Sequence, residues 1–150
     1  MNEAHLLQQY DNLLFPSFAE ADALALGLTL LRLAEAAALP VVINIRTPDR
    51  TLFHAALPGS APLNDTWARR KSNTALKFQL PSMLVGGRNQ AKTESLEKHG
   101  LNSADYADHG GAVPIRVAGV GVVAVATISG LPQRDDHDLV VQAMEMLLAG

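Results

Sequence analysis

The sequence predicts an α+β domain: an antiparallel sheet with helices on both of its faces. Three observations carry this. Two pairs of short apolar segments, Val41 to Ile45 with Thr51 to Ala56 and Val113 to Val117 with Val120 to Ile128, are each joined by turn residues, the pattern of two hairpins. Helical segments lie before, between and after the hairpins, without the strand–helix–strand alternation that builds a parallel sheet. The second pair is apolar almost throughout, as expected of strands covered on both sides.

Taken in order, Ser17-Phe18-Ala19-Glu20 has the spacing of a capping box and opens a helix running from Phe18 to Leu39. Its apolar stripe places Leu24, Leu28 and Leu31 on one face, widened by Leu26, Leu30 and Leu33. Pro40 is expected to end it, since the residue before a proline is pushed out of helical geometry. The first hairpin turns at Thr47-Pro48-Asp49-Arg50, with proline preset at the second position. A Pro/Gly loop from Leu57 to Leu63 leads to a second helix, capped by Asn64 or Asp65 and running to Phe78. Ser82 to Asp108, with Gly86-Gly87-Arg88-Asn89, reads as loop-rich, with short helical turns near Thr93–Lys98 and after Asn102. Gly119 supplies the positive φ that the second hairpin needs. Pro132 suits the first position of a final helix, and Asp135 and Asp136 favour its positive end. Leu139, Val140, Ala143, Met146 and Leu147 are its expected buried face.

Composition narrows the chemistry. The chain's 150 residues fit one domain, 1–150, large enough to bury a core without metals or disulfides. There is no cysteine, which removes disulfides, thiolate zinc sites, iron–sulfur clusters and a thiol nucleophile. A net charge of −3 with few aromatics gives no basic surface for nucleic acid. No apolar run reaches membrane length and no secretion signal is visible, so a cytoplasmic location, away from membranes, is the expectation.

The segments Trp67-x-x-Arg70-Lys71, His109-Gly110-Gly111-x-x-Pro114-Ile115 and Ser129-Gly130-Leu131-Pro132 followed by Asp136-His137 lie in an order and spacing that cover most of the chain from Asn64 onward. In this the chain resembles the HbpS/GlcG-like haem-degrading-domain family, in its branch of stand-alone cytoplasmic members. The resemblance implies a three-layer α/β/α fold of profilin-like (GlcG-like) type with a five-stranded antiparallel sheet. A fifth strand would then lie near Lys77–Ser82. It also implies a homo-oligomer, a dimer or a larger ring or shell, and a small ligand, with haem or a related tetrapyrrole in the lead.

Candidate site residues follow from the same segments. His109 beside Gly110 and Gly111 joins an imidazole to backbone that can approach a ligand and offer amides; the imidazole suits haem iron or acid–base work. The plain alternative is a strand-entry turn. Trp67, Arg70 and Lys71 share a helical face, where the cations can hold propionates, phosphates or a carboxylate while the indole stacks. Alternatively the indole fills a core or subunit interface and the cations reach water. Asp135, Asp136, His137 and Asp138 point about 100° apart and cannot converge on one ion, so no metal site is expected. His137 lies one turn from Ser129-Gly130, and Ser129 can cap the helix or touch a ligand. Three functions remain: a small-ligand-binding domain in a homo-oligomer, a non-enzymatic assembly protein, or an enzyme on a small carbonyl or acid substrate using a histidine base.

Overall fold

The computed structural model describes residues 2–150. In chain order the elements are α1 (Glu3–Asp11), β1 (Leu14–Phe15), α2 (Glu20–Ala36), β2 (Val42–Arg46), β3 (Thr51–Ala56), α3 (Pro62–Phe78), α4 (Ser82–Lys92), a 3-10 turn (Leu96–His99), β4 (Ala112–Val117), β5 (Gly121–Ser129) and α5 (Gln133–Ala149). Both hairpins form where their apolar pairs predict. They join through β5 and β2, giving one five-stranded sheet in the order β1-β4-β5-β2-β3.

The sheet is mixed, which corrects the antiparallel expectation. Its fifth strand is β1, paired parallel to β4 through Leu14 with Arg116 and Phe15 with Val117. Lys77–Ser82 cannot supply a strand. There α3 runs to Phe78, Gln79 takes a left-handed conformation (φ 57°), and Pro81 already caps α4. A strand of two residues has no alternation to read. Nor did the sequence announce α1, although Asn2 caps it by accepting from the His5 amide at 2.8 Å.

Helix ends depart from expectation for local reasons. At α2 the Ala19 amide donates to the Asp22 carboxylate at 2.7 Å, so the cap lies two residues beyond Ser17. The helix stops at Ala36, before Pro40 can act: Leu39 N–H reaches Ala34 O and Ala38 N–H reaches Glu35 O, with Ala38 left-handed at φ 51°. α3 starts at Pro62, because the Asn64 side chain accepts from the Ala61 amide at 2.8 Å. The expected loop at Ser82–Asp108 instead begins with α4, which runs straight through Gly86-Gly87. Glycine serves close approach there, since a Cβ on Gly86 would stand 1.9 Å from Asp108 O.

Alternation along the strands separates two faces. Ile43, Ile45, Val113, Ile115, Ala124, Ala126 and Ile128 pack with Leu26 and Leu30 of α2 and with Val140, Ala143 and Met144 of α5, forming the main core. The Leu26–Leu30 row of α2 is buried, whereas Leu24 and Leu28 are 52% and 42% exposed, the reverse of the predicted primary face. Likewise α5 buries Asp136, His137, Val140, Val141, Ala143 and Met144, leaving Met146 half exposed. The other face lies under α3. Its apolar cluster is small, Ala75 with Ala112 and Val125, and its buried groups are largely polar: Lys71, Ser72, Thr74, Ser82, Thr127 and Ser129.

Candidate functional site

The Lys71 ammonium is the centre of the α3 face. It is almost fully buried, and its three N–H donors meet three acceptors: Gly110 O at 3.0 Å, Ile128 O at 2.8 Å and Asp136 Oδ2 at 3.0 Å. The second Asp136 oxygen accepts from the Leu131 amide at 3.0 Å. One side chain from α3 thus ties together the entry to β4, the end of β5 and the first turn of α5. Burial presses both partners toward neutrality, holding Lys71 below and Asp136 above their ordinary pKa, while their mutual charge and hydrogen bond pull the other way. This corrects the expectation that Lys71 reaches water or a ligand: its donors are all spent within the protein. It also corrects the reading of Asp136 as a helix-end charge alone.

The glycine pair serves the same knot. Gly111 has φ 137°, and a Cβ on it would stand 2.5 Å from both Ile128 O and Lys71 Nζ. The Gly110 amide donates to Gln133 Oε1 at 2.8 Å, and a Cβ there would stand 2.6 Å from Gln133 O. Close packing of α3 and α5 on the hairpin is what these glycines permit. The Gly110 amide is accordingly not offered to a ligand.

Above the knot the chain opens. A cleft of about 240 Å³ is lined by Asn64, Trp67, Lys71, His109, Gly110, Ser129, Gly130, Leu131, Gln133 and Asp136. His109 is exposed, and its ring stands edge-on to Trp67 at 4.9 Å between centroids. Neither ring nitrogen has a hydrogen-bond partner among the described residues. The Arg70 guanidinium lies over the same indole, 4.4 Å from its centroid, and its buried Nε has no hydrogen-bond partner among the described residues. Two further clefts, of about 390 and 360 Å³, also reach His109; the second is lined by Arg70, Leu96, Leu101 and Tyr106 among others. Three depressions therefore meet at one free imidazole.

Of the eight candidates, Trp67, Lys71, His109, Gly110 and Ser129 line the inner cleft, Arg70 lines its neighbour and Gly111 lies beneath. His137 stands apart. It is buried on α5, its Nε2 is 2.7 Å from Gln9 Oε1 of α1, and its Nδ1 has no hydrogen-bond partner among the described residues. Burial pushes its pKa down to about 4. Sequence reasoning missed Asn64, Gln133 and Asp136 as lining residues. Lys71 and Asp136 are 65 positions apart, a separation at which no local pattern signals a pair. Among the described residues no three His, Asp or Glu side chains are grouped to hold a metal ion, and no helix is long and apolar enough to cross a membrane.

The model of the family described as "Haem degrading protein HbpS-like" matches residues 18–145. The chain belongs to the HbpS-like family. Its sequence is 47% identical over 146 residues to the UPF0303 protein SCO2848 of Streptomyces coelicolor, covering 97% of this chain and 92% of that one. Among solved structures, Ybr137w superposes with a TM-score of 0.90 at 31% identity, over 99% of this chain and 88% of its own. The haem complex of PduOC shares the HbpS-like fold at a TM-score of 0.72 and 19% identity, over 86% and 94% of the two chains.

Proposed function

We propose that residues 1–150 form one ligand-binding domain of a homo-oligomer, with haem or a related tetrapyrrole as its leading ligand at the His109 surface. The observation that carries this is the exposed imidazole with both nitrogens unengaged, set where three clefts meet and braced by Trp67. Family membership and the haem complex of a structural neighbour support the choice of ligand.

The residues present fit such a group only on the outer side. The inner cleft of about 240 Å³ falls below the usual 300–1,000 Å³ of ligand pockets and has a polar floor. The 360 Å³ cleft offers apolar wall from Leu96 and Leu101, the Tyr106 ring and the Arg70 guanidinium, with the carboxylates of Glu94, Glu97 and Asp108 also on its lining. There His109 would ligate the iron and Arg70 would hold a propionate. Bound haem supplies an iron centre; the chain supplies a nitrogen donor, a cation and partial shelter from water. Titration of the purified protein with haemin should shift the Soret band, and His109→Ala should weaken that binding. A spectrum identical to free haemin overturns the proposal.

A second reading, a non-enzymatic assembly protein, draws on the exposed Leu24, Leu28 and Met146 and the half-buried Trp67. Light scattering after size exclusion separates the two: under this reading Trp67→Ala dissociates the assembly, and under the first it leaves it whole. A histidine-base enzyme would rest on His109 alone, since His137 is sealed away from the clefts.

A further inference from the structure

A fourth cleft, of about 320 Å³, lies on the adjacent side of α3, bounded by β2 and β3. Its lining includes Asn44, Arg46, His54, Asp65, Arg69 and Ser72. It shares no residue with the cleft beneath His109: Asn64, Trp67 and Lys71 face one side of α3, while Asp65, Ala68, Arg69 and Ser72 face the other.

Arg46 is the unusual member. Its guanidinium is half-buried at the end of β2, yet every contact it makes is to a neutral oxygen: Ser72 Oγ at 2.9 Å, Thr47 O at 3.3 Å and Asn73 Oδ1. No carboxylate pairs with it among the described residues. Three of its five N–H groups are engaged, leaving two. Its two side-chain partners are themselves fixed, since Ser72 Oγ donates to Arg69 O at 2.9 Å and Asn73 Nδ2 donates to Asp105 O at 2.8 Å. The guanidinium is thus held in place before any ligand arrives. The other charged groups facing the cleft have partners of their own: Arg69 lies 3.1 Å from Asp105, and the Asp65 carboxylate accepts from His54 Nε2 at 3.1 Å. The second His54 ring nitrogen lies 3.1 Å from Asn44 Nδ2, so that ring is wall and not base. Burial, and next the nearby Arg69 charge, hold the Arg46 pKa below its ordinary value, a tension that an anion would relieve.

We propose that this cleft is a second ligand site, binding the oxyanion group, carboxylate or phosphate, of a small molecule through Arg46. A planar fork with free donors, no carboxylate bound to it, and a ligand-sized cavity are what oxyanion recognition requires.

The test is thermal unfolding of the full chain in rising inorganic phosphate or acetate, with sodium chloride holding ionic strength constant. At least one of the two anions should raise Tm saturably, and the more effective one tells phosphate from carboxylate recognition. Arg46→Gln should weaken that response about ten- to a hundredfold. Because Arg46 also ties β2 to α3, amide shift mapping on the wild-type chain is the second measurement, with shifts expected at Arg46, Thr47 and Ser72. No anion-specific rise in Tm, an equal response in Arg46→Gln, or shifts confined to residues around His109 would each overturn the proposal. Haemin titration of Arg46→Gln should match the wild type, so failure of this site and failure of the His109 reading can be told apart.

Discussion

The two faces of the sheet are built on opposite principles. Toward α2 and α5 the strands present Ile43, Ile45, Ile115 and Ile128, a continuous aliphatic core in which stability grows with buried area. Toward α3 the same strands present Asn44, Arg46, Thr127 and Ser129, and the helix answers with Lys71, Ser72 and Thr74. Non-directional packing tolerates exchange of similar volumes, whereas a hydrogen-bonded knot holds only while every member is present. Both clefts proposed as ligand sites lie on the polar side, where preorganised donors are available and the backbone can approach.

The largest effect should come from breaking the knot. Lys71→Met leaves the Asp136 carboxylate buried without its countercharge, a loss of about 3–5 kcal/mol. Leu30→Ala, on the aliphatic face, should cost about 2–5 kcal/mol through lost transfer energy and the cavity left behind. The two faces are told apart by rescue. Adding Asp136→Leu to Lys71→Met should recover the part of the loss that comes from the unpaired charge, leaving the part that comes from the unmet Gly110 and Ile128 carbonyls and the Leu131 amide, whereas no single neighbour can refill the space left by Leu30. Urea unfolding of the single and double variants measures this; a double variant no more stable than Lys71→Met would show that the hydrogen bonds to the backbone, and not the charge pairing, dominate the α3 face.

Gly111 sharpens the same contrast. Gly111→Ala must accept a Cβ at φ 137°, costing about 1–3 kcal/mol in backbone strain. Contact with Lys71 Nζ and Ile128 O adds about 1–3 kcal/mol of overpacking. Gly27→Ala on α2 meets only the Phe53 ring, whose Cγ would be 2.3 Å away, with no positive φ to strain, so it should cost the overpacking alone. Equal losses in the two variants would remove the backbone component from the account.

These differences explain what could be read beforehand. The hairpins and the final helix were legible because paired apolar segments joined by turn residues, and Pro132 followed by Asp135 and Asp136, are local signals. α4 was not, because Gly86-Gly87 reads as a turn unless Asp108 is known to press against it. β1 was too short to carry a period, and with it went the parallel pair. The site was half legible: Trp67, His109 and Ser129 do meet at one cleft. The role of Lys71 was not, since its three acceptors come from Gly110, Ile128 and Asp136, far along the chain. A cation between Arg70 and Ser72 on a polar helix looks solvated until topology buries it.

His137 places a titratable group within the otherwise aliphatic α5 layer. Its folded pKa of about 4 lies below the ordinary 6.5, so between these values the unfolded chain binds more protons than the folded one. Stability is therefore fully present above about pH 6.5 and falls as pH drops toward 4, by about 3 kcal/mol in all. The physical cause is desolvation, with only Gln9 to share the proton. His137→Gln should flatten this part of the urea-midpoint profile while leaving haemin binding at His109 unchanged. A profile that keeps its full slope would assign the titration to another group.

The smallest effect belongs to the outer side of the aliphatic layer. Leu24 and Leu28 sit one turn apart on α2, about half exposed, and contribute little to the core beneath. In an isolated chain Leu24→Ser should change stability by about 0.5 kcal/mol or less, mostly through helix propensity. If the chain associates with a second copy through this row, the same substitution should lower the unfolding midpoint by more, and the loss should grow with protein concentration because only the associated wild type gains from it. Unfolding of Leu24→Ser and wild type across a wide concentration range decides whether α2 faces water or a second copy. A small, concentration-independent change would leave Trp67 on the opposite layer as the place to look for subunit contacts.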